Sequence, residues 1–125
     1  MNILLVEDND QNSYLVRFLL EAAGHTVVHF STGRAAVEYC QEHAPGLVLM
    51  DIQMPEMDGY EAAGLILANP RMNGVPIIAV TSYAMAGDRE RALKSGFSGY
   101  IEKPINPETF VAEVNRFHDL SRSTP

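Results

Sequence analysis

The fold is decided by residues 47–51, Leu-Val-Leu-Met-Asp, in which four consecutive apolar residues lead directly into a carboxylate. An uninterrupted apolar run of this length is typical of a strand buried on both faces, as in a parallel sheet that is covered by helices. Similar short runs lie on either side of it, at residues 3–6, 27–30, 75–80 and 99–101. The sequence therefore predicts five buried strands.

The segments between these runs have the spacing of amphipathic helices. We expect the first helix to bury one apolar stripe, formed by Tyr14, Leu15, Phe18, Leu19 and Ala22. Further helices are predicted over residues 35–43, 60–67 and 88–94, and a fifth is predicted to begin with Asn106 as N-cap and Pro107 as its first residue. This alternation predicts an open, doubly wound α/β sheet whose ligand crevice lies at the carboxyl ends of the strands. The pattern alone leaves the strand order open.

Length and charge narrow the class of protein. The chain has 125 residues and a formal net charge of -7, which fits one domain and argues against direct binding to nucleic acid. No apolar stretch approaches the roughly 18 residues that a membrane span needs, and the single cysteine, Cys40, fits a reducing compartment. We expect a cytoplasmic domain over residues 1–120, with a flexible tail at 121–125. Cys40 itself reads as a small buried hydrophobic residue.

Acidic residues follow two of the predicted strands. Glu7 and Asp8 come directly after the first run, and Asp51 ends the third. If these strands are neighbours, the three carboxylates converge in one crevice, where their mutual repulsion favours a bound cation. Oxygen ligands of this kind suit Mg²⁺. The alternative is that each acid only caps the turn or helix that follows it.

Two further polar residues stand at strand ends on the same rim. Thr81 ends the fourth run and Lys103 follows the fifth. A hydroxyl and an ammonium can both donate to the oxygens of a bound anion. Together with the acids they form a set of metal ligands, a nucleophilic carboxylate and two donors for a transferred phosphoryl group.

At these residues the chain resembles the receiver domains of two-component systems, the CheY-like superfamily. The resemblance extends from Asn2 to about Phe117 and is carried by four blocks in order, at residues 5–9, 49–59, 79–82 and 100–104. It implies a flavodoxin-like (βα)₅ sheet with strand order 2-1-3-4-5. It also implies that Asp51 accepts a phosphoryl group from phosphohistidine in a reaction that needs Mg²⁺ or Mn²⁺.

The resemblance assigns further roles. Asp8, Asp51 and the backbone carbonyl of Gln53 would hold the metal, with Glu7 holding a metal-bound water. Thr81 and Lys103 would bind the phosphoryl group, Tyr100 would be an aromatic switch, and the Lys103–Pro104 peptide bond would be cis. Ser82 is small enough to let a phosphodonor approach.

The resemblance also names partners and tuning positions. Gln53 and Tyr83 would tune dephosphorylation, and the bulk of Tyr83 predicts slow hydrolysis that a Tyr83→Ala variant should accelerate. A sensor histidine kinase or a histidine phosphotransfer protein would dock around Asn12, Pro104 and Ile105. A downstream protein would bind the face formed by the fourth helix, fifth strand and fifth helix. We expect a monomer or weak dimer, with no output domain and no membrane contact.

Three other readings stay open at this point. A haloacid-dehalogenase-type phosphatase also uses a strand-end aspartate, but it needs a second aspartate as general acid where this chain has Gln53. A flavodoxin-like cofactor protein needs a phosphate-binding loop after the first strand, where this chain places acids at residues 7–10. A receiver that signals without phosphorylation would not need the complete polar set. We therefore expect a switch rather than an enzyme.

Overall fold

The computed structural model describes residues 1–82 and 87–123, and the side chains of these residues up to residue 120. Strands and helices alternate along the chain. In order they are β1 (Asn2–Val6), α1 (Asp10–Ala22), β2 (Thr26–Phe30), α2 (Gly33–Glu42), β3 (Leu47–Asp51), α3 (Gly59–Leu67), a short 3₁₀ helix (Pro70–Met72), β4 (Ile77–Thr81), α4 (Asp88–Lys94), β5 (Gly99–Glu102) and α5 (Phe110–Ser123). Within the described residues, no helix is long and apolar enough to cross a membrane.

The five strands form one parallel sheet in the order β2-β1-β3-β4-β5. This order confirms the flavodoxin-like topology. It makes β1 and β3 neighbours, with Val6 paired to Met50, so the residues after these two strands leave the sheet side by side. The crevice predicted at the carboxyl ends therefore lies above β1, β3 and β4.

Helices cover both faces of the sheet, and alternate strand residues face each layer. Leu4 and Met50 belong to the core beneath α2, α3 and α4, whereas Leu5 and Leu49 belong to the core beneath α1 and α5. Cys40, on α2, is buried in the first of these cores, as expected. The central strands are buried on both sides, which explains their continuous apolar runs.

The predicted buried stripe of α1 is wrong. Tyr14 and Phe18 are 72% and 60% exposed, whereas Ser13, Val16 and Leu20 face the sheet. Ser13 can face the core because its hydroxyl donates to the carbonyl of Asp10 at 2.9 Å, so no polar group is left unsatisfied. Leu15 and Leu19 are only partly buried against the core, and Ala22 is exposed.

The predicted start of the fifth helix also needs correction. α5 begins at Phe110 rather than at Pro107, although the side chain of Asn106 accepts from the Glu108 amide at 3.0 Å. Residues 107–109 form turns that lead into the helix. α5 runs to Ser123, so the predicted domain boundary at residue 120 falls within it, and the division of the chain there stays a prediction. Residues 124–125 of the predicted tail lie outside the described residues.

Candidate functional site

Asp51 is the last residue of β3, and its side chain is buried at the edge of the sheet. Its Oδ1 accepts a hydrogen bond from the backbone amide of Gln53 at 3.1 Å. α3 begins very close to the backbone of Asp51: a Cβ on Gly59 would lie 2.6 Å from the Asp51 carbonyl oxygen. Only glycine fits there, so the sequence of the β3–α3 connection fixes the backbone beneath Asp51.

Glu7 and Asp8 extend beyond β1 to meet Asp51. Glu7 is buried and its Oε1 accepts from the Asn9 amide at 3.2 Å, whereas Asp8 is exposed. One carboxylate oxygen from each of the three acids lies within 4.8 Å of the others. The structure thus brings together the three acids that the sequence placed at two strand ends. Such a set of hard oxygen donors fits a divalent cation such as Mg²⁺.

Lys103 lies against the same carboxylates. Its Nζ is 2.7 Å from Glu7 Oε2 and 3.5 Å from Asp51 Oδ2; both acids are buried, and the Lys103 side chain is only 9% exposed. The ammonium therefore pairs first with Glu7 and second with Asp51. The following Lys103–Pro104 peptide bond is cis, the form implied by the family resemblance.

The environment of Asp51 disfavours its charged form. Burial raises the pKa of its carboxyl to about 7, and the neighbouring charge of Glu7 adds to this effect. The Lys103 ammonium and the Gln53 amide oppose it, but they do not reverse the direction. A further positive charge at the acidic cluster would favour the carboxylate, so the electrostatics of the site also suit a bound cation.

Thr81 and Tyr100 stand on the adjacent strands. Thr81 ends β4 and is buried, and Ser82 beside it is exposed. Tyr100 on β5 pairs with Ala79 in the sheet and belongs to the same core as Ala79. Its hydroxyl is buried and has no hydrogen-bond partner among the residues that the structure describes. Tyr83, the predicted tuning residue, lies outside the described residues.

An open cleft of about 330 Å³ lies at the three acids and Lys103. Its lining residues are Glu7, Asp8, Asn9, Asn12, Asp51, Gln53, Ser82 and Lys103. Asn12 thus lies at the cleft, and its role in docking stays a prediction. Of its two companions, Pro104 is exposed but Ile105 is buried, packed in the core beneath α1 and α5. Ile105 supports the loop from below in this structure, and its side chain is not presented to a partner.

Sequence reasoning missed two residues that hold the site. Asn9 is the N-cap of α1, where its side chain accepts from the Asn12 amide, while its own amide donates to Glu7. An Asn directly before a helix could have signalled this cap. The sequence pattern assigns His29 no role, but its Nε2 lies 2.8 Å from the Glu7 carbonyl oxygen. No local pattern could have found that contact, since it joins a residue of β2 to the residue that follows β1.

Known sequences match this chain over most of its length. Residues 3–115 match the family model of the response regulator receiver domain. The polar-differentiation response regulator DivK of Brucella ovis is 38% identical over 116 residues, which cover 93% of this chain and 94% of that protein. DivK of Brucella abortus gives the same values.

Solved structures agree in fold. The receiver domain of the sensor histidine kinase PA1611 from Pseudomonas aeruginosa, which has magnesium coordinated in its active-site cleft, superposes with a TM-score of 0.86 at 35% identity. That similarity covers 94% of this chain and 97% of the other. The chemotaxis protein CheY4 of Vibrio cholerae gives a TM-score of 0.87 at 26% identity, with 93% and 97% covered.

Proposed function

This chain belongs to the response regulator receiver domain family, and we propose that Asp51 is the residue through which it accepts a phosphoryl group. The observation that carries the proposal is the buried Asp51 carboxylate at the end of β3, with Lys103 Nζ 3.5 Å from its Oδ2. The carboxylate opens on a cleft with room for a phosphoryl group. The chain therefore acts as a phosphorylation-controlled switch in two-component signalling or a phosphorelay.

The acidic cluster is the proposed metal site. Asp8, Asp51 and the Gln53 carbonyl would hold Mg²⁺ or Mn²⁺, and Glu7 would hold a water bound to it. The three converging carboxylate oxygens support this assignment, and so does the magnesium in the related Pseudomonas receiver. When bound, the ion neutralises negative charge on the phosphoryl oxygens.

The proposed reaction needs few parts from the protein. A carboxylate oxygen of Asp51 attacks the phosphorus of a phosphohistidine, forming a P–O bond while the P–N bond breaks. The electron pair of that bond returns to the imidazole nitrogen, and the product on Asp51 is an acyl phosphate. Lys103, now held by Glu7 and Asp51, is within reach of a phosphoryl oxygen. Gln53 has no acidic proton to donate, which favours acceptance over catalytic turnover.

We propose that Thr81 and Tyr100 respond to phosphorylation of Asp51. Thr81 lies at the end of β4 beside β3, where its hydroxyl can bind a phosphoryl oxygen. Alternation along β4 puts Thr81 on the same face as Ala79, the sheet partner of Tyr100. A shift of Thr81 toward the phosphoryl group therefore changes the space beside the Tyr100 ring. Tyr100 would transmit this change to the face formed by α4, β5 and α5, the proposed surface for a downstream protein.

The phosphodonor would be a histidine kinase or a histidine phosphotransfer protein that docks at the cleft. Asn12 lines the cleft, Pro104 is exposed directly after the cleft residue Lys103, and the buried Ile105 supports the loop. Tyr14 and Phe18 stack on the exposed side of α1, with ring centroids 6.5 Å apart. An exposed aromatic pair on the helix that begins at the cleft supports a protein partner there.

The test is incubation of the full chain with acetyl phosphate and Mg²⁺, followed by intact mass measurement. We expect the wild type and an Asp119→Asn control to gain one phosphoryl group and Asp51→Asn to gain none; Asp119 is a highly exposed aspartate on α5. No gain by the wild type would favour a receiver that signals without phosphorylation. Sustained, Asp51-dependent hydrolysis of a phosphomonoester would instead favour a phosphatase.

A further inference from the structure

We propose that His29 is a positioning residue for the metal site, acting on Asp8 through the backbone of Glu7. The proposal rests on the metal site of the preceding section. It adds a residue of β2, a strand that contributes no side chain to the cleft lining or to the acidic cluster. The chemistry needed is a single donated hydrogen bond.

β2 holds Glu7 from both sides of its backbone. The register between β1 and β2 ends with Val6 opposite Phe30, so Glu7 is the first residue beyond the paired segment. Its amide donates to the Phe30 carbonyl at 3.1 Å, and its carbonyl oxygen lies 2.8 Å from His29 Nε2. The pairing of β1 with β2 has ended at this point. The imidazole thus supplies one more contact between β2 and the backbone of Glu7.

The direction of this hydrogen bond is fixed by chemistry. A carbonyl oxygen can only accept, so Nε2 must carry the hydrogen. Both the neutral Nε2–H tautomer and the imidazolium satisfy this requirement, and the contact therefore does not depend on the charge of His29. His29 is half-buried, which shields the bond from competing water.

The consequence falls on Asp8. The Glu7 carbonyl and the Asp8 amide share one rigid peptide plane, so a bond to that carbonyl fixes the direction in which Asp8 leaves the strand. The Glu7 side chain has its own partners in Asn9 and Lys103, whereas the exposed Asp8 side chain has no hydrogen bond or ion pair within the described residues. Asp8 therefore depends on its backbone to keep its carboxylate near Glu7 and Asp51.

The experiment compares Mn²⁺ affinity among variants of the full chain, with Mn²⁺ alone as probe and electron paramagnetic resonance of free Mn²⁺ as readout. His29→Met removes the donor and His29→Gln keeps one on a side chain of similar length. We expect His29→Met to weaken Mn²⁺ binding by roughly tenfold, the scale seen when a hydrogen bond supporting a metal ligand is lost. His29→Gln should retain most of the affinity.

His25 provides the matched control. It is also half-buried and hydrogen-bonded, to the Met1 amino group at 3.0 Å and to Asn115 at 3.1 Å, but it lies before β2 at the opposite end of the sheet. His25→Met should bind Mn²⁺ as the wild type does, and urea unfolding of all variants reports their stability. The proposal is overturned if His29→Met and His29→Gln bind Mn²⁺ equally well.

Mn²⁺ binding by the wild type separates the role of His29 from the proposed metal site on which it rests. Wild-type binding that is lost in Asp8→Asn establishes the metal site and leaves only the role of His29 in question. A wild type that binds no Mn²⁺ overturns the metal site and the role of His29 together. If His29→Met does not fold, His29→Ala also removes the donor, and wild-type Mn²⁺ affinity in that variant would contradict the positioning role.

Discussion

The two sides of the strand-end crevice are held in different ways. Above β1 and β3, both buried acids have partners: Glu7 accepts from Asn9 and Lys103, and Asp51 accepts from Gln53 and lies near Lys103. On the β5 side, the buried hydroxyl of Tyr100 has no partner within the described residues. A buried hydroxyl left in this way costs about 1–3 kcal/mol. A conformation that gave it a partner would recover part of that free energy.

The helices on these two sides also differ, in their length and in their N-terminal caps. α1 has a side-chain N-cap, Asn9, and runs over 13 residues. α4 has 7 residues, and Gly87 before it supplies no side-chain cap. The guanidinium of Arg91, 4.1 Å above the Tyr60 ring, ties α4 to α3 instead. Within the described residues, the side proposed to perform the chemistry has partnered buried carboxylates and a capped helix, whereas the side proposed to respond has an unpartnered buried hydroxyl and a helix without a side-chain cap.

Removing Lys103 should give the largest effect on the fixed side. Lys103→Met leaves two buried carboxylates without their cation, and we expect the free energy of unfolding to fall by about 3 kcal/mol in urea without divalent metal. Lys94→Met, at an exposed position in the last turn of α4, is the control and should change stability by less than about 0.5 kcal/mol. Equal losses in the two variants would show that the ion pairs do not hold this side.

A smaller effect is expected on the responsive side. Arg91→Ala removes the contact with the Tyr60 ring, which is worth about 0.5–1 kcal/mol at an exposed site. The amides of α4 should then exchange with solvent faster, while those of β1 and β3 stay as protected as before. Arg89→Ala, at another exposed arginine on the same helix, is the matched control. If both variants accelerate exchange alike, the contact between Arg91 and Tyr60 does not hold α4 in place.

Cys40 offers the most sensitive check that the two sides are independent. Burial raises the pKa of its thiol to about 11, so at neutral pH and somewhat above it very little reactive thiolate is present in the folded chain. We expect alkylation by iodoacetamide to be slow in the native protein, rapid in urea, and unchanged by Arg91→Ala. Faster native alkylation of the Arg91→Ala protein would mean that loosening α4 also opens the core beneath α2.

The strand pattern predicted the sheet well because buried parallel strands must be apolar on both faces. Residues 47–51 have that pattern, and all five are buried. The face of α1 could not be chosen in the same way. Val16 and Leu20 are as apolar as Leu15 and Phe18, so period alone allows more than one stripe. The choice depended on Ser13, which faces the core only because its hydroxyl bonds back to the helix.

The candidate site, too, could be predicted only in part from the sequence. Glu7, Asp8 and Asp51 could be placed together because acids at the carboxyl ends of parallel strands share one edge of the sheet. The pairing of Lys103 with Glu7 could not be predicted, because its Nζ lies only slightly closer to Glu7 Oε2, at 2.7 Å, than to Asp51 Oδ2, at 3.5 Å. The contact of His29 with the Glu7 carbonyl depends on the register of β2, which no local sequence signal specifies.

The most direct test of the central claim is to locate the phosphoryl group. The full chain is treated with acetyl phosphate and Mg²⁺, the acyl phosphate is reduced with borohydride, and the modified peptide is sequenced by mass spectrometry. We predict one modified residue, Asp51, in the wild type and none in Asp51→Asn. Modification of Asp8 or Glu7 in place of Asp51, or an unmodified chain, would contradict the account.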